Sequence, residues 1–254
     1  MIDLVITCAG VLGLALITLW CISIFSGRVS FIDAFWGIGF VIIGWTAASQ
    51  SPMLGIMQKV TLVLVSLWGL RLGIYLLRRF LHEGEDKRYI RMTQNKEGVS
   101  RHLFTLWFVF GLQGLLMLII SAPVIAAMAA APQDPSAVSY IGIALWCLGA
   151  FFEWVGDLQL AQFKANPDNA GKVLDRGLWA WTRHPNYFGD TCIWWGIWMV
   201  GHDINTIFAP AIMTFLLMKW SGVPLLEAGM KKRRPDYAAY IERTSSFFPR
   251  APRS

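Results

Sequence analysis

The sequence predicts an all-α integral membrane protein of seven transmembrane helices, with its N-terminus outside and its C-terminus in the cytoplasm, folded as a single domain over residues 1–254. Three observations carry that prediction. The 254 residues are 56% hydrophobic and only 15% charged, far from the balance of a soluble globular chain. Apolar stretches approaching the roughly 20 residues needed to cross a hydrocarbon core recur along the whole length. All but Lys59 and Arg71 of the 22 lysines and arginines fall in alternate connections or in the C-terminal tail, the bias that marks cytoplasmic segments.

The first apolar segment, about 4–25, has no basic region ahead of it and no small-residue cleavage site, so it reads as a retained helix. Further segments follow at about 32–49, 54–80, 103–131, 138–163, 186–201 and 205–226. Ser51-Pro52, the run Pro132 to Ser136, and His202 to Asn205 break the pattern and carry no lysine or arginine. The other connections hold Arg28, then Arg78 to Arg101, then Lys164 to Arg183. An even number of crossings would scatter these basic groups over both faces.

Several function classes drop out early. Cys8, Cys21, Cys147 and Cys192 all lie in apolar segments without metal-ligand spacing and read as small buried hydrophobes, so no metal is expected. No GxGxxG follows a strand and no GxxxxGK[ST] occurs, which leaves neither Rossmann nor P-loop nucleotide binding. The net charge of +6 follows the cytoplasmic segments and implies no nucleic-acid partner. A transporter is disfavoured because the halves show no repeat.

An ionisable side chain deep in a bilayer costs about 2.5–3.5 kcal/mol on insertion scales, so the few present are functional candidates. Asp33 opens the second segment, either as an acid stabilised at a helix start or as a functional carboxyl. Arg71 sits in the third, one turn before Tyr75, and either snorkels to the headgroups or pairs with an anion. Glu153 and Asp157 share one face of the fifth, and Asp190 lies in the sixth. Stacked acids are tolerated where they meet water or donors such as ribose hydroxyls or an amide, which points to a polar ligand.

The stretch WTRHPNYFGD runs from Trp181 to Asp190. Pro185 suits the first turn of the sixth helix, which gathers Arg183, His184 and Asn186 at a helix N-terminus. Free N–H groups beside an arginine make that an anion site, for phosphate or for an anionic lipid headgroup. Gly189 would let a ligand approach closely, with Asp190 accepting hydrogen bonds from it.

RGLWAWTRHPNYFGD (Arg176 to Asp190), PDYAAYIERTSSFFP (Pro235 to Pro249), SFIDAFWGIGF and GEDKRY together resemble the steroid 5-alpha-reductase family, and in particular its bacterial DUF1295-type members. The resemblance spans about residues 30 to 250. It implies a multi-pass reductase of the bacterial inner membrane that binds NADPH from the cytoplasmic side, with a monomer as the default state. The substrate it implies is a lipidic enone, a delta-4 3-ketosteroid or a relative. The implied cofactor contacts begin on the fifth helix with Glu153, Asp157 and Lys164 and continue through Arg176, Arg183 and His184. Asn186, Tyr187, Gly189 and Asp190 follow, then Tyr237 and Arg243 of the tail, in a cofactor half of about 138–254. Arg78, Lys87, Arg88 and Tyr89 are further candidates for the phosphates.

In that family a glutamate of the second helix and a tyrosine of the third polarise the substrate ketone. Asp33 takes the glutamate's place as proton donor, and the tyrosine's place falls on Tyr75 or, aligned on Arg71, on Trp68. Membrane isoprenylcysteine and phospholipid methyltransferases share the Arg-His-Pro helix start and the aromatic tail, so an S-adenosylmethionine-dependent methyltransferase is the alternative. A non-enzymatic lipid-binding scaffold is the third reading.

Overall fold

The computed structural model describes residues 1–220 and 222–252, apart from the side chains of residues 225 and 231–233; Arg253 of the basic tail lies outside the described residues. Every regular element described is helical. Five helices are long and apolar enough to cross a membrane, Ile2–Ser26, Ile32–Ser49, Ile56–Glu83, Gly98–Ile120 and Ala137–Ala165, as expected of a multi-pass membrane protein. The chain divides into two compact units, Met1–Ser136 with Val200–Thr206, and Ala137–Met199 with Ile207–Ser254.

In the first unit, α1 (Ile2–Ser26) is apolar all round and buries only Cys8, Leu12, Leu16 and Ser23. It ends at Gly27, whose left-handed backbone (φ 67°) returns its N–H to the Ser23 carbonyl. α2 (Ile32–Ser49) and α3 (Ile56–Glu83) pack backbone to backbone. A Cβ on Gly37 would stand 2.4 Å from the Gly69 carbonyl oxygen, so only glycine lets these helices meet. Phe40 and Trp68 fill the adjoining layer edge to face, with ring centres 5.4 Å apart.

The short α4 (Lys87–Thr93) leads to α5 (Gly98–Phe104), a π-helical stretch Thr105–Gly111 and α6 (Leu112–Ile120). α7 (Ala122–Ala129) begins anew because Pro123, in its first turn, has no N–H to continue the hydrogen bonds of α6 and its ring crowds the carbonyl one turn back. The apolar segment 103–131 is therefore two helices joined at the buried Ser121.

The second unit holds α8 (Ala137–Ala165), α9 (Leu178–Trp181), α10 (Pro185–Gly201, through Met199), α11 (Phe208–Phe215), α12 (Val223–Arg233) and α13 (Tyr237–Arg243). Gly142, Gly149 and Gly156 recur seven residues apart on α8 and meet α10. A Cβ on Gly196 would lie 2.6 Å from the Gly142 carbonyl oxygen, one on Gly149 2.5 Å from that of Gly189, and one on Gly156 3.1 Å from the Pro185 ring. A seven-residue spacing keeps one helix face on its partner, so three glycines make one continuous close contact. α10 has 17 residues and the run Ile204–Trp220 is a shorter apolar helix, so these two are less plain as spans than the five long ones.

Candidate functional site

Two polar constellations stand out, one in each unit. The first begins where α2 and α4 start. Glu85 accepts from the backbone N–H groups of Val29 (2.9 Å) and Ser30 (3.1 Å) and from the Ser30 hydroxyl (2.9 Å). Asp86 then caps α4 by accepting from the Arg88 N–H at 2.8 Å. That turn delivers Arg88 and Tyr89 to Asp33, in the first turn of α2. The Tyr89 phenol donates to Asp33 Oδ1 at 2.6 Å, and Arg88 Nη2 donates to Asp33 Oδ2 at 2.9 Å. Gln113, just beyond the π-helical stretch, donates from Nε2 to the Tyr89 oxygen at 3.0 Å. With a donor already on its oxygen, Tyr89 directs its own proton to Asp33.

The electrostatics follow from burial and charge. Burial and the Asp33 carboxylate raise the Tyr89 phenol above its ordinary range. Burial would raise the Asp86 carboxyl, but hydrogen bonds from Arg88 outweigh it and hold it below the usual value. Asp33 is thus an acceptor clamped between a phenol and a guanidinium, and the group that carries a proton towards it is Tyr89. Tyr75, the sequence candidate, packs its ring under the Arg71 guanidinium on α3 (5.2 Å), and Trp68 is wholly buried. The phenol on Asp33 belongs to Tyr89, which spacing along α3 could not reveal because α4 folds back from a different turn.

The second constellation lies at the start of α10. Arg183 is 8% exposed; its Nε donates to Glu227 Oε1 at 2.9 Å and its Nη1 to the carbonyls of Thr244 (2.6 Å) and Ile241 (3.2 Å). His184 Nε2 lies 3.2 Å from the same Glu227 oxygen. Burial would raise the Glu227 carboxyl, but the bonds from His184 and Arg183 win and hold it at about 2. The sequence makes this helix start an anion site, and the structure supplies the anion from α12. Burial and Glu227 push the Tyr237 phenol up to about 12. The tail is held from the same place: Ser245 accepts from the Arg183 N–H at 2.9 Å, and Phe247 from the Thr182 hydroxyl at 2.8 Å.

Beside it, Glu153 and Asp157 are buried on one face of α8, and Asn186 Nδ2 donates to Asp157 Oδ1 at 3.1 Å. Asp190 is half-buried on α10, and the Tyr187 ring stacks on that of His184 at 5.6 Å. Gly189 faces α8: a Cβ there would stand 2.5 Å from both the Glu153 nitrogen and the Gly149 oxygen, so the glycine serves the helix contact. Lys164 and Arg176 are exposed, and Arg243 pairs with Asp175 on the surface. Glu227 is the residue that sequence reasoning missed; it is the one acid between Asp203 and Asp236, set in the otherwise apolar VPLLEAGM. Among the described residues no cluster of His, Cys, Asp and Glu could hold a metal ion.

The family model described as protein of unknown function (DUF1295) matches residues 19–244, which include both constellations. The chain belongs to the DUF1295 family. That family is related to steroid 5-alpha-reductase-like proteins. An uncharacterized protein of Schizosaccharomyces pombe is 23% identical over 270 residues, covering 91% of the DUF1295 chain and 76% of its own length. A probable O-methyltransferase of Ustilaginoidea virens is 31% identical over 124 residues, 46% of this chain and 42% of that protein. No solved structure matches.

Proposed function

We propose that this DUF1295 chain is an NADPH-dependent membrane reductase acting on a carbon–carbon double bond conjugated to a ketone, in a delta-4 3-ketosteroid or related lipid. The observation that carries the reading is the Tyr89 phenol, held by Gln113 on one side and Asp33 on the other. Reducing an enone requires a hydride at the beta carbon and a hydrogen-bond donor on the ketone oxygen, where negative charge develops. The Tyr89 phenol becomes such a donor when its single proton turns from Asp33 to the ketone oxygen, with Gln113 holding the phenol oxygen in place. Arg88 fixes Asp33, and Asp33, whose side chain is 21% exposed, links the phenol to water for return of the proton.

NADPH would supply the hydride, and the donor set of the second unit fits its polar parts. The amide of Asn186 and the carboxylate of Asp190, half-buried on α10, suit ribose hydroxyls and a carboxamide, with the buried Asp157 fixing Asn186 from behind, and the exposed Lys164 and Arg176 suit phosphates. Arg183 instead holds the segment that carries Tyr237 and Arg243. We place seven crossings around these groups, with the N-terminus outside and the cofactor residues facing the cytoplasm of a bacterial inner membrane.

The second reading is an S-adenosylmethionine-dependent methyltransferase. The O-methyltransferase similarity favours it, as does the Arg183–Glu227 pair, which neutralises the cation at the α10 start that a phosphate would use. Calorimetric titration of the purified chain separates the two: micromolar binding of NADPH with none of S-adenosylmethionine supports the reductase, and the reverse supports methyl transfer.

A further inference from the structure

Ser30 and Asp33 stand one helical turn apart at the start of α2, and the same interval separates Glu85-Asp86 from Arg88-Tyr89 at the start of α4. The structure joins them as two rungs. In the outer rung Glu85 accepts from the Val29 and Ser30 N–H groups and from the Ser30 hydroxyl, whose oxygen accepts in turn from the Asp86 N–H at 3.1 Å. In the inner rung Asp33 accepts from Tyr89 and Arg88.

α2 has no side-chain cap of its own, its N-cap being Phe31. Glu85 therefore does from a neighbouring turn what a capping side chain does locally, satisfying N–H groups that precede the first helical bonds. α4 has seven residues, too few to fix its own place, and its cap Asp86 follows Glu85 directly. We propose that Glu85 and Ser30 form a positioning clasp that docks the start of α4 on the start of α2 and so sets the Tyr89 phenol against Asp33. Its bearing on catalysis rests on the reductase reading; its geometry does not.

The charge of Glu85 matters to this role. One carboxylate collects three donors in charge-assisted bonds, whereas a glutamine would turn an N–H towards donors it cannot accept from. Glu85 also lines an open cavity of about 460 Å³ with Gly27, Thr93, Lys96 and Arg101, through which a small carboxylate can reach the vacated position of a truncated variant.

The test is a phenolate-absorbance titration of the full chain in detergent, with the Tyr89 contribution isolated by subtracting Tyr89→Phe. In the wild type Tyr89 stays unionised throughout the titrated range, above the ordinary tyrosine value of about 10. Glu85→Ala is expected to release the phenol from Asp33 and bring its ionisation into that range, Ser30→Ala to do so less completely, and formate but not chloride is expected to restore Glu85→Ala. Unchanged ionisation of Tyr89 in Glu85→Ala overturns the clasp, and so does a shift that formate and chloride reverse equally or that neither reverses. If Glu85→Ala does not melt cooperatively, Glu85→Gln is titrated in its place, and an unchanged Tyr89 again overturns the proposal. The titration uses neither cofactor nor enone. A wild-type chain that ignores NADPH would therefore end the reductase reading and leave the clasp to be judged on its own result.

Discussion

Glu227→Gln isolates the ion pair at the start of α10. The pair holds the Glu227 carboxyl at about 2 against an ordinary 4.5, which at about 1.4 kcal/mol per tenfold change in proton affinity is worth about 3 kcal/mol. Glu227 is 14% exposed and Arg183 8%, so little is lost to solvent screening. Leaving a buried guanidinium without its carboxylate costs about 3–5 kcal/mol in comparable pairs, and glutamine, which keeps one acceptor, belongs at the lower end. Because the carboxyl is depressed in the folded chain, this stability is fully present above about pH 4.5 and is lost as pH falls towards 2. Thermal unfolding in detergent, followed by circular dichroism at pH 7, 4.5 and 3, is expected to show a wild-type advantage of about 3 kcal/mol at pH 7 that narrows at the lower two. A pH-independent difference, or none at pH 7, would mean that the Arg183–Glu227 pair does not stabilise the start of α10.

Gly189→Ala places a Cβ 2.5 Å from backbone atoms of α8 and is expected to cost about 1–3 kcal/mol, whereas Gly10→Ala, with nothing within 4 Å, leaves the melting temperature unchanged or slightly raised. Loss of cofactor affinity in Gly189→Ala without loss of stability would contradict the helix-contact role. Gln113→Leu removes the donor that holds the Tyr89 oxygen in place and is expected to lower kcat about tenfold with KM little changed, as followed by NADPH absorbance. Arg176→Ala is expected to weaken NADPH binding in calorimetry without lowering the melting temperature, since Arg176 is exposed.

How far the sequence discloses these features depends on the range of the interaction. The long apolar helices follow from composition, and Pro185 marks the start of α10 because proline is restricted to a helix's first turn. The break at Pro123 follows from the same chemistry, yet it is hidden in an apolar run that reads as continuous. The glycines at 142, 149 and 156 are visible as a spacing, but α10 has to be known before their purpose appears. Asp33 is conspicuous as an acid in apolar surroundings, while its partner Tyr89 is separated from it by the whole of α3. The Arg183 cluster looks like an open anion site only because Glu227 comes much later in the chain. Local rules identify polar groups that need partners; which partner satisfies each is decided by the fold.

In the proposed reductase Tyr89 donates to a ketone oxygen while NADPH reduces the adjoining double bond. The most direct measurement is NADPH absorbance with purified chain and a panel of steroid and simple lipidic enones, comparing wild type, Tyr89→Phe and Tyr75→Phe. Enone-dependent NADPH oxidation is expected to fall about 100-fold or more in Tyr89→Phe, with NADPH affinity retained, and to stay at the wild-type rate in Tyr75→Phe. Turnover that survives in Tyr89→Phe, or a wild-type chain that methylates a lipid acceptor from S-adenosylmethionine and leaves NADPH untouched, would contradict it.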